Sequence, residues 1–231
     1  MLELRRQTSN IEIKRISFGA SGKKENLDRL NEALPKDLKH FEIHIPKYWG
    51  FIAQKLIWEA NPELKLQIQK ILDLKCTPKE QSQQILALLS NAQFDESICA
   101  GIDIDGDLIV RSSARLEDLG KNAAAGIFSS IVVKDRQKLP QAFREVFMSA
   151  FSEKALAYYA NLDLQDKEAI FDMGSIVQQY ISDGEYSGVA FSAADSKNWD
   201  VAGLQLVKGL GGEWMGRKHP YKYCLTQGIN Y

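Results

Sequence analysis

Near residue 100 the hydrophobic pattern of the chain changes period, and no other feature constrains the fold as much. Before that point apolar residues recur at helical spacing; after it they come in short aliphatic runs that alternate like strands. In "SGKKENLDRLNEALP", Leu27, Leu30 and Leu34 fall at i, i+3 and i+7, one stripe of an amphipathic helix that Pro35 ends. "IPKYWGFIAQKLIWEA" reads as the start of a second helix with Pro46 in its first turn. "NPELKLQIQKILDL" reads as a third and "TPKEQSQQILALLSN" as a fourth. In the fourth, Thr77, Pro78 and Glu80 suit the N-cap, N1 and N3 positions of a capping box. Beyond residue 100, "GIDIDGDLIVRSS" predicts a hairpin turn at Asp105-Gly106, and "GIFSSIVVKD" a further strand. "LPQAFREVFMSAFSEKALAYYANL" reads as one long helix with Phe143, Phe147 and Phe151 on one face. "GSIVQQYISDGEYSGVAFSAAD" gives two strands around Asp183-Gly184, and "AGLQLVKGLGGEWMG" a strand running into glycines. Helices first and mostly antiparallel strands later make the class α+β. No internal repeat, low-complexity tract or linker interrupts the chain.

The 231 residues, 45% hydrophobic and 26% charged, suffice to bury a core as one large domain or two small ones. With 29 basic and 30 acidic residues the net charge is -1, so the basic excess of a bulk nucleic-acid binder is missing and no nucleic acid is expected as partner. Cys76, Cys99 and Cys224 lie far apart without paired spacing. That argues against a disulfide framework or a zinc site, and for a reducing compartment. His40, His44 and His219 stand in unrelated contexts, with no metal-binding pair or nucleophilic triad among them. "MLELRRQTSN" has no apolar core of a signal peptide, and no window approaches the ~18 apolar residues of a membrane span. The expectation is a cytoplasmic protein with no membrane partner.

The stretch with most chemistry is "LIVRSSARLEDLG", Leu108 to Gly120. A run of aliphatics delivers Arg111, and Ser112, Ser113 and Ala114 follow it. Arginine offers a fixed fork of donors that matches phosphate oxygens. The serines add donors without bulk, and alanine lets a ligand come close. Taken alone, the same Arg111 could equally cap a helix or pair with Glu117 or Asp118.

"VRSSARLEDL" resembles the VRSSAxxEDL motif of the phosphoenolpyruvate synthase and pyruvate phosphate dikinase family, in its N-terminal ATP-grasp nucleotide-binding domain. Six further pieces follow the family's order. "SGKKENLDRL" is similar to GGKxxNLxxL, and "FEIHIPKYWGFIAQKL" to VPxGFxIxxxAYxxFL. "NAAAGIFSSIVV" resembles ASFAGxxxTxLxV, "IVQQYI" resembles VVQxMV, and "SGVAFS" resembles SGVxFT. "KGLGGEWMGRKHPYKYCL" is similar to GLGExxVxGxVxPDxYxV. The resemblance spans roughly residues 15–225.

It implies a single ATP-grasp-like domain over 1–231, with subdomains of about 1–100, helical, and 101–231, mixed. It implies Lys23 and Arg111 on the phosphates of ATP, with the flanking Ser112 and Ser113 lining the same pocket and Gly126 in a phosphate-covering loop. Gln178 matches the glutamine of VVQ, and the backbone of Gln179, Tyr180 and Ile181 matches the hinge that holds adenine. Mg2+ would fall to Glu213 and Asp195, each displaced by one place from the family pattern: Gly212 stands where GLGE has its glutamate, and no proline follows Asp195. The TSHAA-type histidine motif and the phosphoenolpyruvate/pyruvate barrel are absent, and the chain stops at "TQGINY". The expected activity is therefore an ATP-dependent phosphotransferase, incomplete alone, which passes a phosphoryl group to a histidine on a separate domain or chain. The alternatives are a degenerate module that senses nucleotide or binds a partner without catalysis, and a kinase acting on another acceptor.

Overall fold

The computed structural model describes residues 22–33, 45–52, 54–114, 126–161, 170–191, 201–210 and 221–226. Contacts divide the chain into two units, Met1–Tyr180 and Ile181–Tyr231. Helices and antiparallel sheets coexist, as an α+β class requires.

In the first unit β1 (Tyr48–Ile52), β2 (Leu108–Ala114), β3 (Ser130–Val133) and β4 (Met173–Gln179) form one antiparallel sheet in the order β1-β4-β2-β3. Successive side chains alternate between the two faces, and directly opposite residues of paired strands share one. Leu108, Val110, Met173, Val177 and Val133 therefore point to the same side, where all five are buried. Against that side packs α5 (Leu139–Met148), whose Phe143 meets Phe51 of β1 edge to face with ring centroids 5.2 Å apart. Phe147 meets Trp58 at 5.3 Å, Phe94 at 5.8 Å and Phe151 at 5.8 Å, so an aromatic cluster centres the core. Around it lie α2 (Leu64–Leu72), α3 (Pro78–Ser90), the short α4 (Ser97–Ala100) and α6 (Glu153–Ala160). Ser82 of α3, buried, donates to the Phe151 carbonyl at 2.8 Å.

Several expected elements form where the pattern places them. α1 covers Gly22–Ala33, and α3 carries the complete Thr77/Glu80 capping box with Pro78 at N1. Four expectations change. Tyr48–Ile52 is a strand, not the start of a helix; a helical turn follows only at Gln54–Trp58. Trp49 and Phe51 face the core while Tyr48 and Gly50 face away, a period of two that aromatic residues satisfy well in a strand. No hairpin forms at Asp105-Gly106: β2 takes β3 and β4 as partners, and Ile102 and Ile104 are buried outside any strand. The long helix is broken at Ser149–Ser152. Ser149 Oγ receives the Ser129 N–H at 3.0 Å, and Ser152 caps α6 by accepting the Ala155 N–H at 3.2 Å. All three phenylalanines nonetheless reach the core. The Leu27–Leu30 stripe is not a core face, since Leu30 is 49% exposed; Leu34 lies outside the described residues.

The second unit holds β5 (Tyr186–Phe191), β6 (Val201–Lys208) and β7 (Tyr221–Thr226), antiparallel in the order β5-β6-β7. The strands on either side of Asp183-Gly184 thus belong to different sheets. No helix among the described residues is long and apolar enough to cross a membrane.

Candidate functional site

Register places a second set of side chains on the face of the four-stranded sheet opposite α5. Tyr48, Gln178 and Ile109 form one row across β1, β4 and β2. Gly50, Ile176, Arg111 and Ser130 form the next, and Ser113 lies beyond, opposite Gly174. Ile176 is buried yet stands apart from the main hydrophobic cluster, as a residue on this far face should.

Among the described residues, two side-chain hydrogen bonds tie helix α1 to this face. Tyr48 donates its hydroxyl to Asp28 Oδ1 at 2.6 Å. Lys23 donates Nζ to the Ser112 carbonyl at 3.0 Å. The lysine, in the first turn of α1, thus comes to the residue next to Arg111. Arg111 is exposed, and its Nη1 reaches Gln178 Oε1 at a long 3.5 Å, while Gln178 itself is buried. Glu117 and Asp118 lie outside the described residues. Lys23, Arg111 and Gln178, singled out from separate stretches of sequence, therefore meet on one patch of sheet.

Ser112 takes a different place. Its side chain lies on the core face with Val110, and only its carbonyl serves Lys23. Ser113 is the serine that shares the face of Arg111. It is fully buried, and among the described residues its Oγ has no hydrogen-bond partner. An unpartnered buried hydroxyl is costly, about 1–3 kcal/mol, and here it stands on the strand that carries Arg111. A guanidinium fork and an ammonium make a donor pair suited to phosphate oxygens.

Gly126 holds φ +73°, a left-handed conformation that a side chain resists, and open space surrounds the position where a Cβ would stand. Lys154 donates to its carbonyl at 2.6 Å. In the stretch expected to hold a base, the Gln179 N–H donates to the Lys47 carbonyl at 2.9 Å and the Tyr180 N–H to the Asp107 carbonyl at 2.8 Å. Ile181, 49% exposed, follows at the boundary of the two units. Glu213 and Asp195 lie outside the described residues, among which no three His, Cys, Asp or Glu side chains gather as metal ligands.

Asp28 and Tyr48 are the residues that pattern reading missed as parts of this patch. Of the two serines that follow Arg111, strand alternation separates one from the other: residues two apart share a face, so Arg111 points with Ser113 and not with Ser112. Tyr48 was hidden by the helical reading of its segment. Burial first, then the hydrogen bond and charge of Asp28, then the charge of Glu32, hold its phenol well above the usual range, so it remains a donor.

No match to this chain is found among curated protein sequences. The family model of the pyruvate phosphate dikinase AMP/ATP-binding domain matches residues 20–226, nearly the whole length. The chain therefore belongs to the family of the AMP/ATP-binding domain of pyruvate phosphate dikinase, a nucleotide-binding domain of phosphotransferases.

Proposed function

We propose that the chain is an ATP-grasp-like domain that binds MgATP and passes a phosphoryl group to a histidine on another domain or chain. The observation that carries this reading is the meeting of Lys23 and Arg111 at Ser112, on a face they share with Gln178, in a chain of an ATP-binding family. When bound, Mg2+ supplies charge neutralisation on the phosphates, and Glu213 and Asp195 are its proposed ligands. Arg111 binds phosphate oxygens through its fork, and Gln178 keeps that fork beside the sheet. Lys23 leaves the Ser112 carbonyl for a phosphate. Gly126 lets the backbone of its loop approach the phosphates. Adenine is read by the backbone of Gln179–Ile181. The Gln179 and Tyr180 N–H groups bond the Lys47 and Asp107 carbonyls, which fixes this stretch beside the sheet.

Calorimetric titration with ATP, with and without Mg2+, tests the reading on the intact chain and on Arg111→Ala. Arg111 is exposed, so the variant should fold normally. The expected result is metal-dependent binding that the substitution weakens by roughly 1.5–3 kcal/mol, the scale of a hydrogen bond to a charged group. Unchanged affinity in the variant removes Arg111 from the site. No binding by the intact chain leaves a degenerate module, and the phosphotransfer reading falls.

A further inference from the structure

Helix α1 has 12 residues, short enough to depend on tertiary contacts for its place. Of its apolar stripe, Leu27 is half-buried and Leu30 half-exposed. Among the described residues, two side-chain bonds tie it to the sheet. They leave α1 at Lys23 and Asp28, five positions apart, or about 7.5 Å along the axis at 1.5 Å per residue. One bond alone is a pivot; two at that separation fix direction and rotation. The Lys23 bond is the one that nucleotide phosphates would compete for, and the Tyr48–Asp28 bond is placed to hold the helix in register while the lysine changes partner.

That other bond starts from a rigid place. Tyr48 stands on β1 directly opposite Gln178, next to Lys47, whose carbonyl receives the Gln179 N–H at 2.9 Å. Its 2.6 Å bond to Asp28 joins a neutral donor to a carboxylate, the stronger and shorter kind of hydrogen bond. Resting on the phosphate role assigned to Lys23 above, we infer that Tyr48 is a positioning residue, which through Asp28 holds α1 so that Lys23 stays aimed at the phosphates beside Arg111.

The test compares titrations with ATP and with adenosine, which lacks phosphates, for the intact chain and for Tyr48→Phe, Asp28→Ala, Asp28→Asn, Lys23→Ala and the Lys23→Ala/Tyr48→Phe pair. Tyr48→Phe and Asp28→Ala should each weaken ATP about tenfold, the scale of one charge-assisted hydrogen bond, and leave adenosine unchanged. Asp28→Asn, whose amide oxygen still accepts but carries no charge, should fall between the intact chain and Asp28→Ala. Tyr48→Phe should add nothing once Lys23 is alanine. Equal losses for ATP and adenosine, or additive losses in the pair, would show that the bond only supports the fold and would overturn the inference. A normal ATP affinity in both Tyr48→Phe and Asp28→Ala, with Lys23→Ala weakened, overturns the positioning role and leaves the phosphate site standing. Unchanged ATP affinity in Lys23→Ala overturns both.

Discussion

Arg111 and Ser112 are neighbours in sequence and occupants of different worlds. One projects towards α1, the other towards α5, because a strand sends consecutive side chains to opposite faces. A similar local contrast governs the thiols. Cys99 is half-buried, and burial, followed by the charges of Glu96 and Asp95, pushes its thiol up to about 11. The folded state thus favours the protonated thiol. Its contribution to stability is complete below the ordinary thiol value of about 8.5 and is lost as pH rises through about 11. Since the thiolate is the reactive form, alkylation of Cys99 at pH 8 should be markedly slower than that of an unstructured cysteine peptide, and should keep accelerating beyond pH 10. Peptide-like rates at pH 8, followed by mass spectrometry, would contradict this. At Gly188 the constraint is steric: a Cβ there would stand 2.1 Å from the Gln205 carbonyl oxygen on β6, so the close approach of β5 to β6 demands glycine.

Among the elements, α3 shows how far local chemistry can go. Thr77 Oγ1 accepts the Glu80 N–H at 3.3 Å, and Glu80 returns the favour by accepting the Thr77 N–H at 2.8 Å. The Thr77 N–H, and then the Thr77 hydroxyl, which also donates to Glu80 Oε2 at 2.8 Å, hold the Glu80 carboxyl below its usual range. The capping contribution is therefore present at neutral pH and fades as acid protonates Glu80. Thr77→Ala should destabilise the chain by about 1 kcal/mol, seen as a lower urea midpoint with unchanged slope; an unchanged midpoint would mean that the cap contributes nothing to the fold. β1 shows the opposite case. Its segment reads as helical from Pro46 onward, yet pairing with β4 and the fit of Phe51 against Phe143 select the strand. Tertiary packing overrides a weak local preference.

For the molecule as a whole, the first unit is organised around one aromatic cluster between the sheet and its helices. Phe147, 1% exposed, touches rings from three other segments: Trp58, Phe94 and Phe151. Phe147→Ala should cost about 3–5 kcal/mol through lost burial and a residual cavity, measured by denaturant unfolding of the intact chain. A cost under about 1 kcal/mol would show that the cluster collapses to fill the space. The candidate phosphate patch lies across the sheet from this cluster, so that substitution probes the fold without touching Lys23, Arg111 or Gln178.

The amino-acid sequence by itself determined the family, the α+β class and the capping box of α3, and it nominated Lys23, Arg111 and Gln178, because these rest on local residue types and on motif order. It did not separate Ser113 from Ser112 in the site, for want of a known strand face. Nor did it locate Asp28 and Tyr48, 20 residues apart, in one hydrogen bond. Strand pairing decided the rest. β4 enters from 59 residues beyond the end of β2 to lie beside it, and only that long-range pairing brings Gln178 to Arg111 and turns Tyr48 towards α1. Such contacts depend on which distant segments bury one another's backbone and apolar surface, a property of the packed chain that no local spacing encodes.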